Sequence, residues 1–232
     1  MIEGKAWHCK VTEVMYPICS SRGSCNSFTC DHREDYHING WPPKILPEEY
    51  YTNFEASQLG ITSEDSQWLI EQTLLSSPKV GLLYRQSRDG ITFYDFWKQC
   101  EWYGSIYVLY KLKATNRRVG GYISKTLETY EKEGVVNDPN SFVFSLEKKI
   151  VARAQPNSFI YFQYGPIFWS SQWKVVLGGF LVSNSFNQIG TSCGMDGYTM
   201  PFENNEKTIC SLSGTTDTVS EYTELEIWHI KE

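Results

Sequence analysis

The stretch from Leu82 to Cys100, LLYRQSRDGITFYDFWKQC, decides the fold, because it reads as a strand, a tight turn and a capped helix in nineteen residues. Leu82, Leu83 and Tyr84 form a short apolar run of strand type. Arg85 to Gly90 are polar and end in Asp89-Gly90, a dipeptide that favours a turn with a positive φ. Thr92 and Asp95 stand at capping-box spacing. In that motif the Thr hydroxyl accepts from the backbone N–H three residues on, and the carboxylate accepts from the Thr N–H. Phe93, Phe96, Trp97 and Cys100 then recur at i, i+3, i+4, i+7, which predicts a helix with an aromatic face.

Toward the N-terminus, Thr62 and Asp65 repeat the capping-box spacing. They predict a helix with Trp68, Leu69, Gln72 and Leu75 on one face, ended by Ser76-Ser77-Pro78. Glu48 onward reads as a short helix anchored by Tyr50, Tyr51 and Phe54. Residues 1–47 are rich in Cys, His, Ser, Gly and Pro and have almost no apolar period. The organisation expected is an irregular arm over 1–47, a helical lead-in over 48–78 and a domain over 79–232.

Beyond Cys100 the chain becomes strand-like. Ser105 to Leu112 and Arg118 to Ser124 flank Asn116 as a hairpin, with Ile106, Val108, Tyr110 and Leu112 sharing one face. Further strands are expected at Phe142 to Leu146, Phe159 to Tyr164, Trp173 to Leu177, Gly179 to Val182, Thr208 to Leu212 and Tyr222 to Ile230. Lys125 to Asn137 is polar and reads as an exposed loop. Short strands after a few helices predict an α+β class: an antiparallel two-sheet β-sandwich with flanking helices and an irregular arm.

The chain has 232 residues and a net charge of -6. An acidic balance argues against nucleic acid as a partner, since that binding rests on clustered Lys and Arg. The one basic group, Lys111, Lys113, Arg117 and Arg118, flanks the Asn116 turn and reads as a solvated turn. No apolar run approaches the ~20 residues of a membrane-spanning helix, and MIEGKAWHCK lacks the apolar core of a secretion signal. No Asn has Ser or Thr two positions on, and the seven cysteines are an odd number. A soluble, cytoplasmic protein with its cysteines as thiols or metal ligands is expected.

In this order LLYRQSRDG, the helix with Phe96 and Cys100, GGYIS from Gly120, DPNSFVFSL from Asp138, YGPIF from Tyr164 and EYTELEIWHI from Glu221 resemble the TLDc domain from about Ser77 to Glu232. Each piece also has a physical reading. Gly120-Gly121 suggests a bulge or a close backbone approach, and Asp138-Pro139-Asn140 a turn before an aromatic strand. The chain departs from the family after Tyr164-Gly165-Pro166. There the family has a run of glycines, whereas Phe168, Trp169, Ser170 and Ser171 stand here, a bulky loop suited to docking through Phe168, Trp169 and Trp173.

No nucleophile, metal motif or phosphate loop is evident in this region, so an enzyme is not expected. Ser192-Cys193-Gly194 lacks a base nearby in sequence. His229 lies in the final strand, where it reads as facing the sheet surface. Glu224 and Glu226 fall on one strand face, as an acid/base pair, a cation site or a solvated acidic face would. Arg85, Arg88 and Asp89 suit a ligand, or ion pairs that pin the turn. The resemblance, through the family's association with oxidative stress, implies oxidant scavenging by Cys100, Cys193 and Cys210, against which Cys100 reads as a buried small hydrophobe. In the arm, Cys9, Cys19, Cys25 and Cys30 with His32 are the side-chain types that tetrahedral zinc takes, at spacings unlike a familiar finger. Structural zinc, disulfides and ordinary thiols all remain open there.

The resemblance implies a non-enzymatic interaction module that binds the peripheral sector of the vacuolar-type proton pump and modulates its assembly. Eight Trp, fifteen Tyr and twelve Phe exceed what one core consumes, which supports a protein interface in general. A structural subunit of a large cytoplasmic, cytoskeletal or ciliary assembly is the alternative, and a redox-protective factor the third reading.

Overall fold

The computed structural model describes residues 46–100, 103–124, 134–153, 159–163, 174–177, 180–183, 187–195 and 198–232. Thr62 and Asp65 close a full capping box, with Asp65 N–H donating to Thr62 Oγ1 at 3.1 Å and Thr62 N–H to Asp65 Oδ2 at 3.2 Å. The helix they start, α1, spans Ser63–Gln72. It ends before Ser76-Ser77-Pro78, because Leu74 turns left-handed (φ 61) and reverses the chain. Ahead of it, Glu48–Tyr50 form only a 3-10 turn. Of its expected anchors Phe54 is buried and Tyr51 half-buried, while Tyr50 is 50% exposed.

The first strand, β1, runs Lys79–Arg85 and so takes in Arg85, which the sequence assigns to the turn. The turn itself is one helical turn, α2, Gln86–Asp89, closed by Gly90 at φ 120. A side chain at Gly90 would overlap the Asp95 carboxylate, so glycine is required there twice over. Thr92 and Asp95 complete a second capping box, at 3.0 and 3.2 Å, and start α3, Phe93–Cys100. Phe96 and Cys100 are buried as its face predicts; the Phe93 and Trp97 side chains lie outside the described residues.

The remaining strands are β2 (Ile106–Leu112), β3 (Arg118–Ile123), β4 (Gly134–Asn137), β5 (Phe142–Ser145), β6 (Ile150–Arg153), β7 (Phe159–Gln163), β8 (Lys174–Leu177), β9 (Phe180–Ser183), β10 (Gln188–Gly190), β11 (Gly194–Met195), β12 (Tyr198–Thr199) and β13 (Val219–Lys231). Among the described residues the main sheet has seven strands, ordered β1-β13-β2-β3-β5-β6 with β10 also on β13, all antiparallel. A four-stranded antiparallel sheet, β4-β7-β8-β9, is separate from it. Among the described residues the structure is thus antiparallel β with few helices, built on one main sheet.

Both faces of that sheet are buried, by layers of different kinds. Ile106, Val108, Tyr110 and Leu112 of β2 pack with Tyr84, Phe96, Cys100, Cys193 and Met200. The alternate residues Tyr107 and Leu109 pack with Phe54, Leu59, Leu69, Phe142, Phe144 and Trp228, against the lead-in and α1. Tyr107 also donates its hydroxyl to the Leu69 carbonyl at 2.6 Å, so the helix is held by a buried hydrogen bond as well as by packing. At the sheet edge, Asn53 covers β1. Its N–H donates to the Val80 carbonyl at 2.9 Å and its side-chain oxygen accepts from Val80 N–H at 3.0 Å.

Three expectations change, and one of two readings is settled. Gly134–Asn137, part of the expected loop, pairs with β7, since Val135-Val136, too short a run to signal a strand by itself, gains a partner strand distant in sequence. Thr208 to Leu212 is a turn with a single bridge, Phe202 to Cys210. There the Ser211 hydroxyl donates to the Pro201 carbonyl at 2.6 Å, and side-chain bonds of this kind compete with a strand ladder. Of the two readings of Gly120 the structure shows the close approach: the register is unbroken, and a methyl there would overlap the Val108 carbonyl and the Phe144 ring. Cys193 and Cys210, expected as thiols, are joined as a disulfide.

Candidate functional site

Pairing of β1 with β13 sets Arg85 opposite Glu226, so two candidate residues far apart in the chain meet inside the fold. Arg85 Nε donates to Glu226 Oε1 at 2.9 Å, with side chains 10% and 0% exposed. Glu226 also accepts from the Ser57 hydroxyl at 2.7 Å, Gln58 N–H at 2.8 Å and Trp228 Nε1 at 3.0 Å, while Arg85 donates to the Ala56 carbonyl. Four donors fill the acceptor capacity of a carboxylate. The group therefore acts as a clasp that holds the lead-in against β13. Burial takes Arg85 and Glu226 out of any docking surface, and Glu224 with Glu226 is not a solvated acidic pair.

Arg88 and Glu224 remain at the rim. Arg88 donates to Asp89 Oδ1 at 2.7 Å and to the Leu83 carbonyl at 3.0 Å, with its side chain 44% exposed. The hydrogen-bonded Asp89 carboxylate beside it raises the Arg88 pKa. Glu224, half-exposed, accepts from Ser87 N–H at 3.2 Å. Over the clasp lies a surface corner where the Arg88 guanidinium, paired with Asp89, and the half-exposed Glu224 carboxylate reach solvent, a pattern suited to steering a charged protein partner.

His229 is buried, not on the sheet surface. Tyr51 Oη lies 2.7 Å from its Nδ1, and the Tyr103 ring packs edge-on at 5.1 Å. Burial first, then the nearby Lys231 charge, depresses its pKa to about 4, so the ring is neutral near neutral pH. Burial likewise pushes Tyr51 up to about 12.

The basic group at the Asn116 turn is largely paired with carboxylates. Lys113 meets Glu221 at 2.7 Å, Arg117 meets Glu203 at 2.5 Å, and Arg118 meets Glu147 at 2.6 Å and Asp65 at 2.7 Å. Asp65 thus caps α1 and ties it to β3, and Lys149 joins the same carboxylate. Its burial works to raise the pKa, but the bonds from Lys149 and Thr62 N–H and the Arg118 charge outweigh it, holding the carboxyl at about 2. Near this turn a cleft of about 450 Å³ is lined by Lys113, Gln188, Ser213, Thr215, Asp217 and Val219 among others.

Phe168, Trp169 and Trp173, and the arm's Cys9, Cys19, Cys25, Cys30 and His32, lie outside the described residues. Among the described residues no three His, Cys, Asp or Glu side chains gather as metal ligands, and no helix is long and apolar enough to cross a membrane. Sequence reasoning missed Ser57 and Tyr103, and took Tyr51 only as an anchor of the lead-in and not as a partner of His229. No local spacing marks them, because each acts on β13 from a distant part of the chain.

No curated protein matches the chain. The family model described as the TLDc domain matches residues 56–231, about three quarters of the chain. The matched span opens at the clasp's Ala56 and includes Ser57, Arg85, Arg88, Glu224 and Glu226. The chain belongs to the TLDc domain family.

Proposed function

We propose that the chain is a non-enzymatic, cytoplasmic protein-interaction module that binds the peripheral sector of the vacuolar-type proton pump and modulates its assembly. The observation that carries this reading is TLDc membership across residues 56–231. Its chemistry is supported by the corner of Arg88 and Glu224, which presents opposite charges on a base made rigid by the buried Arg85–Glu226 pair. In this reading the four-stranded sheet is the second layer of a sandwich, the loop at Phe168, Trp169 and Trp173 supplies aromatic anchors, and the Cys/His arm holds a structural zinc through Cys9, Cys19, Cys25, Cys30 and His32.

Co-purification of the full chain from its native source tests the partner. Pump subunits should be recovered with wild type and lost with an Arg88→Glu, Glu224→Lys double variant. Recovery of tubulin or other filament components without pump subunits overturns the reading in favour of a structural subunit. Metal analysis of the purified chain tests the arm, and a zinc content well below about one per molecule removes the zinc.

A further inference from the structure

Cys193 and Cys210 join a segment tied to the main sheet to a turn that lies outside it. Cys193 follows β10 and Thr191, whose N–H donates to the Thr218 carbonyl at 2.8 Å and whose hydroxyl lies 2.8 Å from Ser220 Oγ. That side is fixed to β13. Cys210 belongs to the turn after Phe202. Its N–H donates to the Thr215 carbonyl at 3.0 Å, and Gly214 N–H donates back to its carbonyl at 2.7 Å. Ser213 and Thr215 line the 450 Å³ cleft, so the bond anchors one cleft wall to the sheet. Both cysteines are buried, at 3% and 4% exposure, with Cα atoms 5.3 Å apart.

We propose that Cys193 and Cys210 form a redox-set clip that decides whether the cleft wall at residues 201–215 is locked to the sheet or free to open. The clip closes by exchange with a low-molecular-weight disulfide. One cysteine thiolate attacks it, forming a mixed disulfide and releasing one small thiolate; the second cysteine thiolate then displaces the other. Two protein sulfurs are oxidised, two small-molecule sulfurs are reduced, and the two protein thiol protons leave on the two released thiols. Because both sulfurs are buried, exchange requires the turn to open, so the bond locks a segment that has just moved.

Reduced, the turn keeps weaker anchors. Arg117 still donates to Glu203 at 2.5 Å and to the Ser211 carbonyl at 3.1 Å, and Lys148 lies 3.3 Å from Glu203. With the Thr115 hydroxyl donating to the Ser213 carbonyl at 3.0 Å and the buried Leu212, these contacts hold the turn less tightly than they do together with a covalent closure across 17 positions.

Lys207, exposed and left-handed at φ 55, stands between the two cysteines and is a natural trypsin site. The full chain is equilibrated with oxidised glutathione or with dithiothreitol, and two readouts are taken. Alkylation after denaturation, mapped by mass spectrometry, should find a Cys193–Cys210 cross-link in the oxidised sample and two alkylated thiols in the reduced one. Cleavage at Lys207 should be on the order of tenfold faster when reduced. In the oxidised sample the cut fragments should stay joined until a reductant is added. A Cys193→Ser, Cys210→Ser variant should cleave at the reduced rate under both conditions. Two alkylated thiols after oxidised glutathione, or equal cleavage in both states of the wild type, overturns the proposal without reference to any variant.

Discussion

Replacing Glu226 with Gln should remove more stability than any other single isosteric change on β13. The substitution keeps the shape and deletes the charge. Glu226 is fully buried, and its two oxygens accept from Arg85, Ser57, Gln58 and Trp228. Gln brings one oxygen and one NH2, so two of those donors would face a donor, and the Arg85 guanidinium, 10% exposed, would lose its counter-charge. Breaking a buried ion pair from one side costs about 3 kcal/mol or somewhat more. For a domain of this size that is roughly a 10 °C fall in Tm. The assay is guanidinium unfolding followed by tryptophan fluorescence, with Trp228 as a core reporter beside the mutated group. An Arg85→Met, Glu226→Gln double variant should lose less than Glu226→Gln alone, because it leaves no uncompensated guanidinium and keeps an acceptor for the remaining donors. A loss below about 1 kcal/mol for Glu226→Gln would mean the pair behaves like a surface salt bridge, and the clasp argument would be wrong.

Three further outcomes follow from the same structure. His229 has a folded pKa of about 4 against an ordinary 6.5, so the unfolded chain binds the proton first. Its stabilising contribution is complete above pH 6.5 and falls by about 3 kcal/mol toward pH 4, and a His229→Gln variant should lack that slope in Tm against pH. Asp65, held at about 2 against 3.8, contributes stability above pH 3.8 that disappears as pH falls toward 2. Asp65→Asn should therefore lose about 2 kcal/mol at pH 7 and almost nothing at pH 2, read by chemical denaturation at both pH values. Gly120→Ala should cost about 2 kcal/mol or more in the same assay, because the added methyl meets the Val108 carbonyl and the Phe144 ring in a closed register; unchanged stability would refute that close approach.

Local signals in the chain were legible where the interacting groups lie within four residues of each other. Both capping boxes, at Thr62–Asp65 and Thr92–Asp95, form as their spacing predicts. So do the positive φ at Gly90 and the period-two face of β2. The TLDc assignment also came from short motifs read in order, and the family match bears it out. Readings failed where a distant segment supplied the deciding contact. Glu224 and Glu226 have the same local pattern, yet the lead-in at Ser57 and Gln58 covers only the second. His229 reads as a surface histidine until Tyr51 and Tyr103 close over it.

What the sequence by itself determined is therefore the start of each capped helix, the direction of the β2 side chains and the family. Each depends on backbone hydrogen bonds or side-chain alternation over a few residues. Tertiary structure alone decided which charges are buried, which cysteines meet and which of the candidate residues stay in solvent. Burial and desolvation are properties of what packs on a residue, and the segments that pack on β13 come from the lead-in, β1, β2 and β10.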